Sequence, residues 1–153
     1  MKQEEIQLLL LDLSARLQYR TMVKCNTDGR HEFDEELSVM HIMNFYQFEV
    51  KPYLRPLSSM TKKETKELFK EIGFKFTCNI CGIPAHYNYE FAKQIKGIPT
   101  ITNVDFIKVI DWLNAHHFDY RGLIEKGLAI EVTKNNNPYK DYECNIRQIS
   151  KES

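Results

Sequence analysis

Two prolines four residues apart, in Lys51-Pro-Tyr-Leu-Arg-Pro56, constrain this chain more than any other feature. Each proline fixes φ, removes a backbone donor and pushes the residue before it to an extended conformation. A regular helix is excluded there, and so, on the usual rule, is a strand in the middle of a sheet. The segment reads as a rigid crossing between elements. What precedes and follows it must carry the regular structure.

Before it, Ile6, Leu9, Leu10, Leu13 and Leu17 fall at spacings of three and four, so an N-terminal helix is expected, with Leu8 and Leu11 widening its apolar stripe. Ser14, Arg16 and Gln18 lie off that stripe. Tyr19 to Cys25 reads as a strand closed by the turn Asn26-Thr27-Asp28-Gly29, since Asp-Gly favours a tight hairpin. Residues 37–50 are β-branched and aromatic after that hairpin, which predicts one strand or two short ones, although the spacing also fits a helix. After the prolines, Thr61 and Glu64 form a capping box for a helix that stops near Gly73. Its Lys62, Lys63, Lys66 and Lys70 alternate with Glu64, Glu67 and Glu71, as a solvated face does.

Phe74 to Ile80 alternates as a half-buried strand. Asp105–Ala115 predicts a helix, Asp119 caps a second short one ending at Gly127, and Leu128–Val132 alternates as a strand. The order of elements is not a βαβ alternation, so the fold class is α+β. It comprises an N-terminal helix, short antiparallel strands and a C-terminal helical hairpin followed by a strand. Residues 1–142 make a single domain on this reading, and 143–153 a flexible tail.

Composition narrows function mainly by exclusion. In 153 residues, 21 Lys and Arg balance 21 Asp and Glu, so no global field draws the chain to a phosphate backbone; nucleic-acid binding would need a local basic face. No stretch is long and apolar enough for a membrane span, and the acidic start is opposite in sign to a secretory leader, so the cytoplasm is the expected compartment. There Cys25, Cys78, Cys81 and Cys144 are expected as thiols or metal ligands.

Three blocks taken together, LLLLDLSARL, VKPYLRPLSSMTKKE and WLNAHHFDYRGLIEKGLAIE, resemble an uncharacterised family of small proteins encoded repeatedly in gut-bacterial genomes, prophages and other mobile elements among them. The resemblance implies a small soluble protein associated with phage or mobile elements. It brings no catalytic residue with it.

Two constellations have chemistry in them. Cys78-Asn-Ile-Cys81-Gly82 has the spacing of a zinc knuckle, with His86 as a third ligand, but a second pair is missing. A Cys at position 78 equally serves as a small hydrophobe on the apolar side of a strand. The cofactor expectation is therefore none, or zinc at this motif. His116 and His117 are adjacent, so on a helix they diverge by about 100° and do not share a metal; one is expected inward and one at the surface. No nucleophile or carboxylate pair accompanies them. A helix-turn-helix over 105–126 would place Arg121 and Lys126 on DNA, but the second helix is short and carries Glu125. The balance favours a non-enzymatic binding or accessory protein with a protein partner. Tyr53, Arg55, His117, Tyr120 and Arg121 are its candidate contact residues, because interfaces favour aromatic and Arg side chains. A zinc-stabilised module, structural or nucleic-acid binding, is the alternative.

Overall fold

The computed structural model describes residues 1–27, 29–47, 49–71, 76–77, 84–85, 100–101 and 106–140. The fold is α+β. It divides into two compact units, one of residues 1–59 and 113–153, the other of residues 60–112.

The first unit is a mixed five-stranded sheet with a helix on its core face. Helix α1 spans Gln3–Arg16. Strands β1 (Met22–Asn26) and β2 (Glu32–Glu36) form an antiparallel hairpin, its turn held by Asn26 Oδ1, which accepts the Gly29 N–H at 2.6 Å. Helix α2 (Val39–Met43) leads into strand β3 (Glu49–Pro56), which returns antiparallel to β1. Two short C-terminal strands, called β7 (Phe118–Asp119) and β8 (Ile130–Glu131), pair with β3 in parallel. Leu9, Leu13, Val23, Cys25, Leu37, Phe45, Val50, Leu54, Leu123 and Leu128 make the core. Each such aliphatic side chain contributes about 1.5–3 kcal/mol on burial.

The second unit holds helix α3 (Lys62–Glu71), the short antiparallel strands β4 (Phe76–Thr77), β5 (Pro84–Ala85) and β6 (Thr100–Ile101) in the order β5-β4-β6, and the start of helix α4 (Phe106–Ala115). The capping box of α3 is as expected: Thr61 N–H donates to Glu64 Oε2 at 2.8 Å, and Glu64 N–H to Thr61 Oγ1 at 3.2 Å.

Three expectations are corrected. First, KPYLRP is the central strand β3, not a crossing segment. Successive strand residues address opposite edges. Leu54 C=O accepts from Val132 N–H at 2.8 Å on the β8 edge, while Arg55 N–H donates to His117 C=O at 2.8 Å on the other. Pro52 and Pro56 share the parity of Leu54, so their missing donors both face the β8 edge, where β8 pairs only with Tyr53 and Leu54. The ladders to β1 and β7 lose nothing. Second, residues 39–43 are helix, because Ser38 caps them and its N–H is accepted by His41 Nδ1 at 2.9 Å; strand begins only at Glu49. Third, the segment Leu123–Gly127 is a run of turns and not a second helix. Asp119 caps it all the same: its carboxylate accepts the N–H groups of Leu123 at 3.0 Å and Ile124 at 2.8 Å. With no second helix there is no helix-turn-helix.

Candidate functional site

On α1 the side chains at 9, 12, 13 and 16 turn inward, so the inner face of an otherwise leucine-rich helix carries an ion pair. Asp12 and Arg16 are one turn apart and fully buried. Arg16 Nε donates to Asp12 Oδ2 at 2.6 Å, and Arg16 Nη2 donates to Phe118 C=O at 2.8 Å, which ties α1 to β7. Arg121 Nε lies 3.4 Å from Asp12 Oδ1, close enough for charge attraction but outside hydrogen-bond geometry. The Arg16 and Arg121 guanidinium carbons sit 5.5 and 5.0 Å from the centroid of Tyr120. Two cations thus share one carboxylate and one aromatic ring. Arg16, first read as off the apolar stripe, is one of its most buried members.

Beside this cluster the β1–β3 ladder is split by a side chain. Tyr139 Oη accepts the Met22 N–H at 3.1 Å and donates to Tyr53 C=O at 2.8 Å. Met22 and Tyr53 continue the β1–β3 register one step past Val23 and Pro52. The hydroxyl replaces the direct bond at the point where β3 changes its neighbour from β1 to β7. Burial pushes the Tyr139 hydroxyl far above the ordinary phenol range, opposed by the bond from Met22. His117 stacks on Tyr139 with centroids 3.9 Å apart and planes 6° from parallel. Its backbone is left-handed at φ 58, and its Nδ1 lies 3.4 Å from Thr21 Oγ1. Burial, then the charges of Arg16, His116 and Arg55, hold His117 down at about 3. It is neutral at physiological pH and too weak a base for proton transfer there.

None of the five residues expected to make one surface is exposed: Tyr53 is buried, and Arg55, His117, Tyr120 and Arg121 are half-buried around β3 and β7. Tyr53 is buried, its hydroxyl donating to Asp34 Oδ1 at 2.8 Å. Arg55 lies over the Phe118 ring at 4.4 Å, and its backbone binds that of His117. Tyr120 and Arg121 belong to the Asp12–Arg16 cluster. Cys78, Cys81 and His86 fall outside the described residues.

The surface that does stand out was missed. Val39, Met40, Met43 and Tyr46 are 56, 61, 72 and 79% exposed, a stripe along and just beyond α2. Ile42 and Phe45 turn the other way, against the core. Tyr46 also borders a 540 Å³ cleft lined by Ile6, Leu9, Phe45, Val50 and Leu128, with Glu5, Glu49 and Lys51 among its polar residues. The acidic strand β2 runs directly into this stripe, and all five of its residues are exposed. Residues 31–50 carry five carboxylates and no Lys or Arg in a chain of net charge zero. Lys24, Arg20 and Lys51 answer Glu32, Glu36 and Glu49; Asp34 and Glu35 are met by the Tyr53 hydroxyl and the His41 ring. The signal in the sequence was the alternation of outward Met and Tyr with inward Ile and Phe at helical spacing. It is concealed by β-branched and aromatic residues that score equally well as strand.

Comparison with protein families, curated proteins and solved structures returns no match.

Proposed function

We propose that this chain is a non-enzymatic binding protein that docks a partner protein through the α2 stripe and the adjoining cleft. The carrying observation is the run of four large apolar side chains, all more than half exposed, beside a concave apolar surface. Single exposed apolar residues are ordinary, but a contiguous set marks an interaction site. Five carboxylates against three answering cations leave the shoulder net acidic, which favours a protein segment with apolar side chains set between Lys or Arg over a phosphate backbone. Met and Tyr suit this task, since one adapts its shape and the other buries area at low entropy cost. The polar centre around His117 supports a binding role over catalysis, because its groups are committed to holding β3, β7 and α1 together. An accessory protein of a phage or mobile element, as the sequence resemblance implies, fits a docking role.

The test uses two labelled amphipathic peptides of matched leucine content, one built with Lys and one with Glu. The Lys peptide binds the wild-type chain, weakens as salt is raised, and binds Met43→Ser/Tyr46→Ser at least ~10-fold more weakly. Equal binding of the Glu peptide, or unchanged binding by the double variant, refutes the reading.

A further inference from the structure

We propose that Cys25, Glu35 and His41 form a zinc site that joins β1, β2 and α2. One ligand atom from each side chain lies within 4.8 Å of the other two. His41 Nε2 is already 2.8 Å from Glu35 Oε1. The thiol and the imidazole are interior, at 1 and 5% residue exposure, while the Glu35 side chain is 46% exposed and opens the group to solvent. Sulfur, nitrogen and oxygen in one set match the borderline-soft preference of zinc and disfavour magnesium or calcium. Ligand atoms around a tetrahedral zinc stand roughly 3–4 Å apart, given metal–ligand bonds of about 2.0–2.3 Å. The spacing within 4.8 Å thus exceeds the upper end of that range by about 1 Å at most, and the exposed Glu35 side chain is free to adjust.

The second observation concerns the other ring nitrogen. A metal-bound imidazole needs an acceptor for its remaining N–H. Ser38 offers His41 Nδ1 both kinds of partner, its backbone N–H at 2.9 Å and its hydroxyl at 3.0 Å. With no metal, Nδ1 accepts the Ser38 N–H and Nε2–H donates to Glu35. With zinc on Nε2, the ring proton resides on Nδ1 and the Ser38 hydroxyl accepts it, while the Ser38 N–H gives up the ring as its acceptor. The Cys25 proton leaves to solvent as the thiolate binds. The site is independent of the docking surface, although α2 carries His41 inward and Met40 and Met43 outward.

Cobalt(II) titration of the reduced full chain tests this, since a bound thiolate gives a charge-transfer band in the near ultraviolet. The band is expected at one equivalent. It is expected to persist in Cys78→Ser/Cys81→Ser/Cys144→Ser, where Cys25 is the sole remaining thiol, and to vanish in Cys25→Ala. Because Cys25 is a core residue, the exposed Glu35→Gln is the second variant; with Ser38→Ala it is expected to lower affinity at least ~10-fold, with circular dichroism unchanged. No band in the wild type, loss of the band in the triple variant, or unaltered affinity in both Glu35→Gln and Ser38→Ala overturns the site.

Discussion

Arg16 and His117 show how far a side chain's role departs from its type. Arg16 is fully buried with Asp12, and a buried charge without its partner is far more costly than the intact pair is stabilising. Arg16→Met is expected to lose about 3–5 kcal/mol of unfolding free energy in urea titration, and Asp12→Leu/Arg16→Met to recover most of it. His117 governs a pH dependence. Its ring takes up a proton near 6.5 in the unfolded chain but only at about 3 when folded. The unfolded state therefore binds more protons between those values. The stability His117 contributes is present above about pH 6.5 and is lost as pH falls toward 3, by up to about 1.4 kcal/mol per unit. His117→Asn keeps a residue that tolerates the left-handed backbone and removes the titration. The variant's loss of stability between about pH 6 and 4 is expected to be shallower than that of the wild type. The opposite charges at 12 and 16 are legible in the sequence as a helical pair. Their burial is not, because it depends on Phe118 C=O and Arg121, more than a hundred residues away.

Among the elements, β3 is the most instructive. Its prolines are tolerated because both face the same sparsely paired edge, and the transfer from β1 to β7 is bridged by the Tyr139 hydroxyl. Tyr139→Phe leaves the Met22 N–H and the Tyr53 C=O unbonded while preserving the ring stacked on His117. A loss of about 1–3 kcal/mol is expected, with amide exchange at Met22 accelerated ahead of the rest of β1. Asp119 is a cap without a helix. Asp119→Ala is expected to lose about 1–2 kcal/mol and to loosen the Leu123–Gly127 turns. The capping box at Thr61 and the hairpin turn at Asn26 were legible because both are local chemistry, satisfied within three residues. The choice of helix for 39–43 was not, since the same apolar residues fit either period. In the helix the His41 ring lies between Ser38 and Glu35, a contact three residues back and one onto β2.

For the molecule as a whole, a net charge of zero conceals an exposed acid-rich strand, β2, followed by an exposed apolar stripe on α2. Met43→Ser/Tyr46→Ser is expected to change stability by no more than ~0.5 kcal/mol in thermal or urea unfolding, because the side chains it trims are 72 and 79% exposed. No helix among the described residues is long and apolar enough to cross a membrane. The sequence by itself determined the α+β class, α1, strand β1 with the turn that follows it, the α3 cap and Asp119 as a capping residue, all consequences of periodicity, turn chemistry and hydrogen bonds between near neighbours; strand β2, acidic throughout but for Phe33, was not legible. Only the tertiary structure decided that two prolines sit in the central strand, that Arg16 and Tyr53 are interior, and that Met43 and Tyr46 are outside. Those outcomes depend on which edge or face another segment covers, and a linear pattern encodes the face of a residue but not what is packed against it.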